Sequence, residues 1–125
     1  MTKGISGRED SFLIGFVRYA TCSGAITLDE MKKWVYNLLK ENDDLPTYFF
    51  DLLEIEHSSD FYKVIDFPID TGMTEKEGDA LRGISFLRGN RKNEEAISRK
   101  KALKALAESP QLERRFRETF PFIEW

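Results

Sequence analysis

The amino-acid sequence predicts a mainly α-helical protein: one compact domain over residues 1–125, with about six helices and, as a local alternative, a short strand-like segment near 61–67. Three observations carry this. Apolar residues recur at three- and four-residue steps along most of the chain, the period that gathers them on one helix face. Two capping boxes, Thr27-Leu28-Asp29-Glu30 and Thr74-Glu75-Lys76-Glu77, mark helix starts. In each, the threonine hydroxyl can accept from the amide three residues on while the glutamate reaches back. Pro46 and Pro110 stand where a first turn tolerates a residue without an amide hydrogen.

Taken in order, Phe12, Phe16, Val17 and Ala20 share one face of a first helix. Gly15 argues against a helix there, Asp10 or Ser11 would cap it, and Gly24 would end it. Behind the Thr27 box runs the stripe Leu28, Met31, Trp34, Val35 and Leu38, ending near Lys40, with Ile26 and Met31 at the staple positions. Glu41-Asn42-Asp43-Asp44 is a polar break. Leu45-Pro46 then opens another helix, whose Tyr48, Phe49, Leu52, Leu53 and Ile55 make it apolar enough that much of it should be buried. Phe61, Val64 and Ile65 suit a short helix, whereas Tyr62 to Phe67 reads equally as a strand, and Pro68 and Gly72 mark a loop. Leu81, Ile84 and Leu87 follow the Thr74 box, and Gly89-Asn90 ends that helix. Asn93-Glu94-Glu95 is expected to cap a helix bearing Ala96, Ile97, Leu103 and Leu106 as far as Glu108. After Ser109-Pro110 come Leu112, Phe116 and Phe120 at four-residue steps. Pro121 stops the helix, and Phe122, Ile123 and Trp125 form an apolar tail expected to dock on the core.

Composition sets the outer bounds. The chain has 125 residues, of which 41% are apolar and 13% aromatic, enough for one sizeable core. Its 19 basic and 22 acidic groups nearly cancel to −3, which excludes a wholly basic nucleic-acid binder and an acidic tail protein. A single cysteine, Cys22, permits no internal disulfide, and with a single histidine, His57, it falls short of a zinc ligand set. Cys22 lies in Ala20-Thr21-Cys22-Ser23-Gly24 and reads as a small residue at a helix end. His57 follows Glu54-Ile55-Glu56 and also reads as a helix end, where a cation suits the negative pole of the dipole. The N-terminus lacks a signal-peptide pattern, because Glu9 and Asp10 precede the apolar run and Arg18 interrupts it; the expectation is a cytoplasmic protein with no membrane span.

Catalytic signatures are missing. Asp51 with Glu54, and Glu56 with Asp60, have helical spacing, but general acid–base work needs such groups in a cleft with divergent pKa values. No glycine begins a phosphate-binding loop. The expectation is therefore no enzyme, no cofactor and no metal. A metal-dependent hydrolase built around His57 is the weakest of the readings.

Charge segregation is the informative feature. Residues 41–70 hold nine acids (Glu41, Asp43, Asp44, Asp51, Glu54, Glu56, Asp60, Asp66, Asp70) against Lys63, a balance of −8. Residues 82–117 hold eleven bases against four acids, a balance of +7. The plain interpretation is two solvated faces that partly pair with each other. The sharper one makes the acidic segment, interleaved with the aromatics Tyr48, Phe50, Tyr62 and Phe67, a docking surface, with Asp43, Asp44, Asp51, Glu54 and Asp60 supplying the field and Tyr48 and Tyr62 the foremost anchors. A basic protein would be its partner, for instance a nuclease whose surface must attract phosphate. The alternative is a helical nucleic-acid-associated regulator using Arg99, Lys100, Lys101 and Lys104. Against it, no base-stacking module is visible and one cysteine allows no zinc finger.

The stretch Asn42-Asp43-Asp44-Leu45-Pro46-Thr47-Tyr48-Phe49-Phe50-Asp51-Leu52-Leu53-Glu54-Ile55 and the ending Phe120-Pro121-Phe122-Ile123 resemble bacterial immunity proteins of contact-dependent growth-inhibition systems. The resemblance implies a protein that binds the C-terminal domain of a cognate toxin and blocks its active site or substrate surface. Toxin surfaces differ between pairs, so it assigns no contact residues. Those named above rest on charge and aromatics alone.

Overall fold

The structure is a computed structural model that describes residues 2–125. It is mainly helical, as the sequence predicts, with seven α-helices and no strand among the described residues. They are α1 (Phe12–Ser23), α2 (Leu28–Glu41), α3 (Tyr48–Leu52), α4 (Phe61–Val64), α5 (Glu75–Leu87), α6 (Arg99–Ala107) and α7 (Pro110–Thr119), with a 3-10 turn at Ser58–Asp60 leading into α4. The strand alternative near 61–67 is thus replaced by a short helix. The chain forms two compact units, one of residues up to Cys22 with Thr27–Gly72, the other of Ser23–Ile26 with Met73–Trp125.

In the first unit, the starting amides of α1 are capped by backbone. The Gly4 carbonyl accepts from Leu13 N (3.0 Å) and Ile14 N (2.9 Å). Gly4 sits at φ +87°, and a Cβ there would lie 2.6 Å from Leu13 Cβ, so the turn requires glycine. The two residues expected to cap α1 serve elsewhere. Asp10 accepts from Gly4 N and Ser6 Oγ (both 2.7 Å), and Ser11 Oγ accepts from Asp70 N at 2.8 Å. α1 forms across Gly15, which lets residues 69–70 press against the helix: a Cβ would fall 2.5 Å from Ile69 Cγ2 and 2.7 Å from the Asp70 carbonyl oxygen. The core face of α1 is Ile14, Phe16, Val17 and Ala20, while Phe12, in its opening turn, stays half exposed. α2 begins at the Thr27 capping box as expected and buries Met31, Trp34 and Val35. Trp34 meets Phe49 with ring centroids 5.7 Å apart, and Phe49 in turn meets Tyr48 at 5.0 Å.

In the second unit, α5 starts at the Thr74 capping box and buries Ala80, Leu81, Ile84 and Phe86. Gly83 sets how closely α5 approaches α6, since a Cβ would stand 2.6 Å from the Ala102 carbonyl oxygen and 3.2 Å from Leu106 Cβ. The start of α6 departs from expectation. Its cap is Ser98, whose Oγ accepts from Lys101 N at 3.1 Å, and residues 93–97 are not helical. The cause is Ile97, which is buried with Phe86 and Ala102 and so pulls the approach to α6 across the core. Glu94 still serves the helix from outside, accepting from Arg99 N at 2.6 Å. Along α7, Phe116 and Phe120 stack edge-on at 5.1 Å. The tail folds back on them, with Trp125 5.8 Å from Phe116, as the apolar ending predicts.

Candidate functional site

The acidic segment owes its exposure to short elements. α3 has five residues, so it can bury one side only: Tyr48, Phe49 and Leu52 go inward while Phe50 and Asp51 face solvent. The chain then turns through Glu54 and Ile55 into the 3-10 turn and α4, where Phe61 is buried and Tyr62 and Lys63 are exposed. Asp51, Glu54, Ile55, Asp60, Lys63 and Val64 line a shallow depression of about 360 Å³. Its lining joins three acids and one base to two apolar residues, Ile55 and Val64.

Of the seven residues the sequence singles out, three meet at this depression: Asp51, Glu54 and Asp60. Asp51 and Glu54 are exposed. Asp60 is partly engaged, accepting from Glu56 N (3.3 Å) and His57 N (3.2 Å) and pairing with Lys63 Nζ at 3.3 Å. Burial pushes its carboxyl up, but the Lys63 and backbone hydrogen bonds outweigh that and hold it below the ordinary carboxylate value. Asp43 and Asp44 are exposed in the link between α2 and α3, outside the depression. Tyr62 is the large aromatic most open to solvent, 72% exposed.

Tyr48 is a correction. It is buried, it donates its hydroxyl proton to the Ile5 carbonyl, and its ring lies 5.9 Å from that of Phe67. Burial, with Asp10 adding to it, pushes its phenol well above the ordinary tyrosine value. Tyr48 is therefore a core residue and not a surface anchor. Phe50, 59% exposed and next to Asp51, takes that place. Sequence reasoning also missed Arg18. Its guanidinium lies 4.9 Å from the Tyr62 ring centroid and donates to the Tyr62 hydroxyl, holding an exposed ring in one orientation. The interruption of the apolar run by Arg18 was the available signal.

The basic third behaves differently. Arg88 Nη1, Asn90 Nδ2 and Arg91 Nη2 donate to the carbonyls of Ala25 (2.7 Å), Gly24 (2.9 Å) and Ser23 (3.0 Å), all within the second unit. Arg82 pairs with Asp79 at 3.2 Å, and Arg117 pairs with Glu113 at 3.3 Å and stacks 4.3 Å from the Trp125 centroid. On α6, Arg99, Lys100, Lys101 and Lys104 are exposed, but they do not make an unbroken positive track. Arg99 lies 5.8 Å from the Phe86 ring centroid, and Lys101 and Lys104 share a groove with Glu75, Asp79 and Glu108. Glu108 is itself held by Lys76 at 2.9 Å, which lowers its pKa.

Cys22 is exposed at the end of α1, and its sulfur lies 3.9 Å from the Ser58 carbonyl oxygen. Local desolvation raises the thiol pKa despite the counter-effect of Arg18, so the nucleophilic thiolate is disfavoured. His57 is exposed and precedes the 3-10 turn; it is not at the C-terminus of a helix, and the dipole argument for it does not apply. Among the described residues no group of three or more His, Cys, Asp or Glu is placed to hold a metal ion. Among the described residues no helix is long and apolar enough to cross a membrane. No protein-family model, curated protein or solved structure matches the chain.

Proposed function

We propose that this protein is an immunity-type inhibitor, acting in the bacterial cytoplasm within a contact-dependent growth-inhibition system. It binds a cognate toxin domain, a basic nuclease, through the acidic surface centred on Asp51, Glu54 and Asp60. The observation that carries the reading is the grouping of these acids in one depression, with Asp51 and Glu54 exposed. They line it together with Ile55 and Val64, and two exposed rings, Phe50 and Tyr62, stand on the same short elements. A charged rim around desolvated apolar anchors is how tight protein interfaces are built. Tyr62, held by Arg18, loses little freedom on binding, which favours affinity. Acids on the rim would speed encounter with a positively charged nuclease and cover the surface it offers to phosphate. Inhibition by occlusion needs no cofactor.

The test uses tagged protein purified at physiological salt from the organism that makes it, beside the Asp51→Lys/Glu54→Lys variant. The expected result is a basic protein eluting in stoichiometric amount with the wild type. That protein cleaves nucleic acid once separated and is silent when recombined. The double variant should lose it. Equal retention by the variant, or a recombined partner that still cleaves, would contradict the proposal. Nucleic acid released by salt would instead favour the regulator reading and its α6 bases.

A further inference from the structure

The second unit carries an apolar groove that its own side chains leave open. Leu87, Leu103, Leu106, Ala107, Pro110 and Glu113 line a hollow of about 430 Å³ where α5, α6 and α7 converge. Leu87 is 50% exposed there and adds apolar surface to the hollow. Glu113 is neutralised by Arg117, so the only acid of the lining carries little net field. Lys100 stands three residues before Leu103 on α6, and Arg114 four residues after Pro110 on α7. Both are exposed, so positive charge flanks an apolar hollow.

The chemistry that fits this hollow is an exposed apolar side chain bordered by acids. This same chain presents that arrangement at Phe50, Asp51 and Glu54. We infer that a second copy of the protein seats its α3 surface, Phe50 leading, in the groove between Lys100 and Arg114. The balances of −8 over residues 41–70 and +7 over residues 82–117 make the two surfaces complementary. The net charge of −3 leaves little overall repulsion between copies. The contact joins two different surfaces, so a pair still has one of each free and assembly continues head to tail. A toxin and a second copy then compete for the same acids. The inference shares that surface with the proposed inhibitor role, but its test uses the purified protein alone, so either can fail without the other.

Sedimentation of the purified protein gives the answer. At about 10 mM salt, where charges act over about 30 Å, the average mass should climb above 14.6 kDa with concentration; at about 0.5 M it should return to the single chain. Asp51→Lys/Glu54→Lys and Lys100→Glu/Arg114→Glu should each stay single chains alone, and an equimolar mixture should re-associate because the reversed surfaces complement each other. A mass of 14.6 kDa at low salt at every concentration would overturn the inference. So would association that salt leaves unchanged, or a mixture of the two variants that remains monomeric.

Discussion

The two charged regions are nearly equal in size and opposite in sign, yet they do different work. In the basic third, Arg82, Arg88, Arg91 and Arg117 are held by a carboxylate, by backbone carbonyls or by an aromatic ring of the same unit. In the acidic segment, Glu41, Asp43, Asp44, Asp51, Glu54 and Glu56 all project into solvent. Much of the positive charge is structural, and most of the negative charge is available to something else. A count of charges cannot make this distinction, because an arginine that serves a backbone carbonyl and one that waits for phosphate look alike in sequence.

That contrast can be broken at several points, beginning with the scaffold that holds each surface. Gly83→Val in the second unit and Gly15→Val in the first should each destabilise the fold by about 3 kcal/mol, because the new side chain meets backbone or packed atoms at 2.5–2.7 Å. Gly7→Ala, with no atom within 4 Å of the added carbon, should be nearly neutral in the same denaturant titration. Next in size is Arg88→Met, which leaves the Ala25 carbonyl without its donor and should cost about 1–3 kcal/mol. An unchanged denaturation midpoint would show that this base is surface charge after all.

Acid should sharpen the comparison further. Asp10, Asp60 and Glu108 all have pKa values held below their ordinary 3.8, 3.8 and 4.5. A lowered folded-state pKa means that the unfolded chain binds protons first. Stability from these groups is therefore present above the ordinary values and is lost as pH falls through the lowered ones. Unfolding followed from pH 6 downward should show this loss, and Asp10→Asn, which gives up the ionised partner of Ser6 and Gly4, should flatten part of it. The smallest effect expected is that of Asp51→Lys/Glu54→Lys on stability, within about 0.5 kcal/mol of wild type, since both side chains are exposed.

What sequence could reveal follows from the range of each interaction. The starts of α2 and α5 were legible because a capping box is closed within four residues. The start of α7 was legible from Ser109-Pro110, and Gly24 ended α1 at φ +83° as its position suggested. The start of α6 was not, because Ile97 is drawn into the core by Phe86 and Ala102, a tertiary effect that overrides the Asn93-Glu94-Glu95 signal. Three consecutive aromatics at 48–50 could not reveal which would be buried, since a five-residue helix has no repeat from which to read a face. The grouping of Asp51, Glu54 and Asp60 was half legible: their types and closeness were visible, and the turn that brings them to one depression was not. The Arg18–Tyr62 contact spans 44 residues and lay beyond any local pattern.

The claim that the acidic face, and not the basic one, meets the partner is tested most directly by comparing two charge reversals in one experiment. Asp51→Lys/Glu54→Lys and Lys100→Glu/Arg114→Glu would be purified side by side from the native host at physiological salt, with circular dichroism confirming equal helicity. The account predicts that the first loses the basic toxin domain and the second keeps it. Retention by the first together with loss by the second would place the functional surface on α6 and α7 and contradict the account.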